Sequence, residues 1–437
     1  MSGSKTSNSI SNYKSLLWSC IITVPVSAVI GSAVAFFLWL LSRAIHYRFS
    51  HNWLLYLLPL AGIVIHLAYK LYGKSSERGN NLIIDEIHEP GAGVPKRLAP
   101  LILFTTVITH LFGGSAGREG TAVQIGGSIA HWFGSMFKLD EQTMRMLLTT
   151  GIAAGFGAVF GTPITGAIFA VEVLTNGRLK YDALLPCLIA GFVGDITVSA
   201  WHVKHSAYHI NYVSIGLPTD SVAVLFIGLL LLKIIASSAL FGLASLAFAE
   251  LTHRIKALFL KLFKHTWMIP FIGGVIIIGL TLIIGKPDYL SLGVEPEHPS
   301  AVTIVSAFHT GGSDVFSWLW KLIYTAITLG TGFKGGEVTP LFYIGATLGN
   351  TLAGLLNAPV SLFAALGFIA VFSGATKTPI ACTIMGGELF GPQHLVFFAL
   401  ACFVAYLCSG NSGIYSAQRR YESMGSYVKQ KFFKYKL

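Results

Sequence analysis

The chain has 437 residues, of which 53% are apolar and 11% charged, well below the roughly 25% charged residues of an average soluble domain. Together with a mean hydropathy of +0.67, this excludes a soluble enzyme, a secreted disulfide scaffold and a disordered chain. The net charge of +11 fits Lys and Arg gathered on one side of a membrane. It does not fit nucleic-acid binding, because the basic residues flank apolar runs instead of alternating with exposed aromatics.

In chain order, residues 1–15 are a Ser/Asn-rich segment charged only at Lys5 and Lys14, expected on the cytoplasmic side. The apolar run from Leu16 to Leu41 is longer than the roughly 7 to 15 residues of a signal-peptide core and reads as a retained first span. Met146 to Val171, Val338 to Thr376 and Leu389 to Gln418 also exceed the ~20 residues that cross a bilayer as a helix. Glycine stands at 47 of 437, above the usual ~7%, which predicts close helix packing or backbone exposed to a ligand. Cys20, Cys187, Cys382, Cys402 and Cys408 form no CxxC pair and read as small core residues with no redox role. The tail carries Arg419, Arg420, Lys429, Lys431, Lys434 and Lys436 against Glu422 alone, which predicts a cytoplasmic C-terminus near anionic lipid headgroups.

The chain also repeats itself. Gly117-Arg118-Glu119-Gly120-Thr121 followed by Ile125-Gly126 returns as Gly336-Glu337-Val338-Thr339-Pro340 followed by Ile344-Gly345. Gly151-x-x-Ala154, Thr162-Pro163 and Glu172 return as Gly367-x-x-Ala370, Thr378-Pro379 and Glu388. This order predicts two membrane repeats, residues 16–207 and 221–416, joined by a connector at 208–220 and followed by a basic tail at 417–437. Transporters commonly use inverted-topology repeats whose broken helices meet at the midplane. Each Gly-rich turn here is followed at once by an apolar run, as at a helix N-terminus directed into the membrane interior. Such termini carry unpaired N–H donors and partial positive charge, so several converging on one point make an anion site.

Four stretches in this order, Gly79-Asn80-Asn81, Gly117-Arg118-Glu119-Gly120-Thr121, Gly336-Glu337-Val338-Thr339-Pro340 and Ile414-Tyr415-Ser416, resemble the CLC family of chloride channels and anion/proton antiporters. Asn80 where most of the family has serine, and Thr121 where most have proline, resemble its fluoride/proton antiporter branch. The resemblance implies an all-α polytopic membrane fold and a homodimer with one pathway per subunit. It implies export of fluoride in exchange for protons, with no cofactor.

On that resemblance Glu119 is the gating glutamate. Ionised, a carboxylate beside a helix start occupies the place an anion would take; protonated, it loses that attraction and swings away. The competing reading is a capping carboxylate paired with Arg118. Glu337 falls where chloride-type members are apolar and is a candidate second proton-handling acid, with an ion pair to Lys334 as the alternative. Asn80, through its amide, and Tyr415, through its phenol, are candidate anion donors, with Gly117, Arg118, Gly120, Val338 and Thr339 completing the anion-binding set. The family's intracellular proton-transfer glutamate aligns with Val173, which cannot relay a proton, so protons must take another route. Glu172 and Glu388, at matched positions, read as structural carboxylates bonded to neighbouring backbone.

His202, His205 and His209 have metal-like spacing, but no Cys or carboxylate completes a set, and no metal site is assigned. No GxxxxGK[ST] loop or GxSxG elbow is present, so ATP-driven pumping and esterase-type hydrolysis lack support. The rival readings are a chloride/proton antiporter or chloride channel of the same fold, and an intramembrane enzyme using the acids and histidines. Phe363 to Phe372 and Leu395 to Leu407 are candidate subunit-facing segments. Lys and Arg near the pathway mouths would draw anions as well as fix topology.

Overall fold

The computed structural model describes residues 3–176, 181–212 and 221–420; residues 213–220 of the connector and 421–437 of the basic tail lie outside them. Among the described residues the fold is all-helical apart from one two-residue parallel pair, Thr175–Asn176 with Arg419–Arg420. The first repeat holds α1 (Gly3–Phe49), α2 (Leu58–Ala68), α3 (Asn80–His88), α4 (Leu98–Leu111), α5 (Glu119–Met136), α6 (Glu141–Phe160), α7 (Pro163–Glu172) and α8 (Leu184–Ala200). The second holds α9 (Ser221–Leu262), α10 (Met268–Ile284), α11 (Ser317–Gly330), α12 (Val338–Leu356), α13 (Val360–Thr376), α14 (Pro379–Phe390) and α15 (Leu395–Cys408).

Equivalent packings recur in the two repeats: α5 on α6 and α12 on α13, α1 on α8 and α9 on α15. Equivalent helices also meet across the repeats, α2 on α10 and α7 on α14, as they do around a pseudo-two-fold axis in the membrane plane. The repeated glycines explain the first pair of packings. A methyl group on Gly126 would overlap the Gly151 carbonyl, and one on Gly345 would overlap that of Gly367. In each repeat the two matched motifs therefore meet backbone to backbone, the close approach that drives helix association where lipid supplies no hydrophobic force.

Three of the long apolar runs are not single spans. Met146 to Val171 breaks at Gly161, which is left-handed (φ 70°) and stands just before Pro163 at the start of α7. Val338 to Thr376 turns at left-handed Asn357 before Pro359, and Leu389 to Gln418 is interrupted at Gly391-Pro392 and again after Cys408. Among the described residues, four helical stretches are long and apolar enough to cross a membrane: Trp18–Phe49, Asn52–Arg78, Glu141–Phe160 and Leu225–Leu262. The rest are shorter helices arranged in broken pairs, as expected where a cavity or protein, not lipid, faces the breaks.

The subunit-facing expectation for Phe363 to Phe372 is corrected. Every residue of that segment is buried in α13, which is apolar all round because it sits at the centre of the second repeat. Leu395 to Leu407 does present a surface, with Val396, Phe403 and Leu407 exposed. Cys187, Cys382 and Cys402 are buried.

Candidate functional site

The two Gly-rich breaks meet each other. Gly117 N–H donates to Gly336 O (2.6 Å) and Gly336 N–H to Gly117 O (2.7 Å), an isolated antiparallel bridge between the repeats. A Cβ on Gly120 would press on the Gly336 backbone and on the Asn80 amide. The small residues are therefore required by the approach of three chain segments.

From this junction α5 and α12 start in opposite repeats. Glu119 is the first residue of α5 and only 1% exposed, and its carboxylate lies on the N-terminus of α12. It accepts from Thr339 N–H at 3.0 Å, from the Thr339 hydroxyl at 2.7 and 2.6 Å and from Arg118 N–H at 3.2 Å. The Arg118 Nε ion pair is longer, 3.6 Å. The contact with Arg118 of the capping reading is thus present, while the shorter bonds go to Thr339 in the other repeat. A carboxylate in that place occupies orphan N–H groups and the positive end of the helix, where a small anion would bind. Thr121 spends its hydroxyl on Thr106 of α4 at 2.8 Å.

On one side of Glu119 lies a cavity of about 320 Å³ lined by Asn80, Gln124, Glu337 and Tyr415, with Arg78, Lys256 and Lys334. We call it the tail-side cavity. Asn80 opens α3 after Gly79, whose φ of 54° with ψ −127° favours glycine. Glu337 is the N-cap residue of α12, followed by buried Val338. The alternative Glu337–Lys334 ion pair does not form among the described residues; the Lys334 ammonium stands 4.2 Å over the Tyr69 ring instead. Tyr415 is buried, its segment fixed by Ile414 N–H to Ala375 O at 2.9 Å.

A smaller cavity, lined by Arg118, Arg48, Lys204, Ser291 and Glu297, lies on the connector side. Helix α9 relates the two faces. Its Lys233 donates to Asn357 O beside Ser361, which holds the connector through Asn211, and its Lys256 lines the tail-side cavity. Those lysines are 23 residues apart, roughly 35 Å of helix, about one hydrocarbon core. Arg118 and Glu119 therefore lie between a tail-side mouth carrying Arg78, Lys256 and Lys334 and a connector-side mouth where Arg48, Arg118 and Lys204 are balanced by Asp288, Glu295 and Glu297.

Val173 is buried and apolar. Glu172 accepts from Ile380 and Ala381 N–H at 3.1 and 2.7 Å, and Glu388 accepts from Ile164 and Thr165 N–H at 3.0 and 2.7 Å. Each repeat thus caps the first turn of the other's broken helix, α14 and α7 respectively. His202, His205 and His209 do not converge: His205 packs against Gly161 while His202 is exposed, and among the described residues no three His, Cys, Asp or Glu side chains cluster as metal ligands.

Among the buried basic side chains the sequence did not single out is Lys321. Lys321 is 0% exposed, its ammonium donating to the carbonyls of Ser291 (2.7 Å), Tyr289 (3.1 Å) and Leu290 (3.4 Å). The Ser291 hydroxyl bonds His110 Nδ1 at 2.9 Å, and His110 Nε2 stands 3.5 Å from Gly117 O. The one signal was a lysine inside the apolar run Trp318 to Ile327, since a buried ammonium needs fixed acceptors.

The family model described as voltage gated chloride channel matches residues 60–410. The chain belongs to this family. A chloride/fluoride channel protein of Pseudomonas syringae pv. tomato is 46% identical over 400 residues, 90% of this chain and 84% of that protein. Among solved structures, a CLC-type fluoride/proton antiporter superposes with a TM-score of 0.85 at 35% identity, covering 93% of this chain and 98% of that one. A slow cyanobacterial Cl⁻/H⁺ antiporter shares the fold with a TM-score of 0.75 at 19% identity, covering 91% and 96%. The CLC membrane architecture implied by the resemblance is thus the architecture of this chain.

Proposed function

We propose that this CLC chain is a secondary active transporter that exports fluoride in exchange for protons, and not an enzyme. The observation that carries the reading is the Glu119 carboxylate on the N-terminus of α12, held by Thr339 N–H and hydroxyl. Ionised, Glu119 and a small anion compete for the same donors; protonated, Glu119 releases them. One side chain then couples the two fluxes. Fluoride, small and a strong acceptor, suits a site of N–H and O–H donors: the α3 and α12 termini, the Asn80 amide and the hydroxyls of Thr339 and Tyr415.

Gly117, Arg118, Gly120 and Val338 supply the backbone of that site. Glu337, in the tail-side cavity, is the second proton-handling acid, since Val173 leaves no relay at the aligned family position. Arg78, Lys256 and Lys334 at the tail-side mouth concentrate anions, and inward proton flow supplies the energy for export. We place the protein in the cell membrane with both termini cytoplasmic, in contact with membrane lipids and paired as a homodimer. The similarity to a chloride/fluoride channel protein makes chloride on the same path the second reading.

Flux from liposomes decides. Fluoride efflux that drives proton uptake, and exceeds chloride efflux, is the expected result; equal chloride flux, or flux without proton movement, overturns the reading. Glu119→Gln, which keeps shape but not charge, is expected to abolish proton coupling.

A further inference from the structure

The proposed site is made of donors, yet two buried acceptors lie beside its tail-side half. Asn80 Oδ1 and Gln124 Oε1 are enclosed and have no hydrogen-bond partner. Both side chains line the cavity that also holds Glu337 and Tyr415. Gln124 is 6% exposed and sits one turn beyond Glu119 on α5. Its amide lies against Gly79, where an added Cβ would stand 3.2 Å from Nε2, and the Asn80 Nδ2 would stand 3.1 Å from a Cβ on Gly120. Glycines on two segments therefore make room for the two amides.

An unpartnered buried carbonyl oxygen is costly and is tolerated where a passing group supplies the donor. An anion cannot, because it has no proton to give. The fixed donors of the cavity, the Tyr415 hydroxyl and the Arg78, Lys256 and Lys334 side chains, bond neither oxygen; the donors that come and go with proton exchange are carboxyls in their neutral form. Glu337 lines it already, and Glu119 enters its edge if it leaves α12 on protonation. We propose that Gln124 is a further binding residue of the exchange path, its carboxamide acting with that of Asn80 as the receptor for a neutral carboxyl. The amide oxygens accept the O–H of the protonated acid, and the proton stays on that acid. The amide N–H groups remain available to the anion. Asn80 in place of serine extends this logic, since a carboxamide presents a carbonyl acceptor beside its donors.

This inference rests on the fluoride/proton reading. The test compares wild type, Gln124→Met and Gln124→Glu in liposomes, measuring fluoride-driven proton uptake from pH 7.5 to 4.5, with thermal unfolding of each variant in detergent. Methionine keeps the length and packing against Gly79 without the amide. At matched folding it should exchange at least about tenfold more slowly than wild type at every pH. Glutamate, ionised at pH 7.5, should be similarly slow there. It should recover relative to wild type as the pH falls through the carboxyl range, because its neutral form regains both an acceptor and a donor.

Wild-type exchange in Gln124→Met overturns the proposal and leaves Gln124 a packing residue. If the methionine variant does not fold, a Gln124→Glu profile parallel to wild type overturns it equally. Failure of the underlying reading appears separately, as wild-type protein that carries chloride as fast as fluoride or moves no protons.

Discussion

Thr339 offers the Glu119 carboxylate two donors, and only its hydroxyl can be removed without disturbing the α12 backbone. A hydrogen bond to a charged group contributes about 1.5–3 kcal/mol, which corresponds to roughly tenfold or more in an equilibrium. Thr339→Val should therefore slow fluoride/proton exchange by about tenfold, while Thr339→Ser, which keeps the hydroxyl, should stay near wild type. The measurement is initial fluoride efflux from liposomes at equal protein density. Equal rates for the valine and serine variants would remove Thr339 from the gate. The residue scale is also where sequence reading was most complete. Glu119, Glu337, Asn80 and Tyr415 were nameable because each departs from its surroundings or matches a family motif. Gln124 and Lys321 were not, because an amide or lysine in an apolar run reveals neither its burial nor its partners.

At the scale of elements, the reciprocal caps hold the two broken helices. Glu172→Ala leaves Ile380 and Ala381 N–H without their acceptor, a loss comparable to that of an N-cap, about 0.5–2 kcal/mol. We expect the midpoint of thermal unfolding to fall by a few degrees, less for Glu172→Gln, with the same order for Glu388. No shift with alanine would mean the caps contribute nothing to stability. A cap in the loop before α6 adds a pH dependence. Asp140 accepts from Thr143 hydroxyl (2.6 Å) and from Gln142 and Thr143 N–H. The Thr143 hydroxyl first, then the backbone N–H groups, hold its carboxyl below the usual carboxylate range. Its folded pKa is below the unfolded one, so its stabilisation is fully present above the unfolded value near ~4. It is lost as the pH falls through the lowered one. Asp140→Asn should flatten the acid side of a stability-versus-pH curve, and curves that stay parallel would exclude the cap as a contributor.

At the scale of the whole molecule, every residue proposed for the site comes from one chain. If two copies pair through the exposed face of α15 around Val396, Phe403 and Leu407, each pathway remains complete by itself. Proteoliposomes with mixed wild-type and Glu119→Gln subunits should then show coupled exchange in linear proportion to the wild-type fraction. A quadratic fall would mean the subunits act together.

The sequence by itself determined the class of the protein and its duplication, and singled out the carboxylate proposed as its gate. Scarcity of charge, matched motifs and Gly-rich breaks are local or periodic signals that need no three-dimensional information. What only the tertiary structure decided is which groups face each other across the repeats. Glu119 lies on the α12 terminus, not only beside Arg118; Glu172 and Glu388 cap each other's repeat; and Lys334 turns to Tyr69 instead of Glu337. Those pairings join residues some 200 positions apart, so no spacing along the chain encodes them. They follow from two repeats docking about a shared axis, where burial requires each donor and acceptor to find a partner.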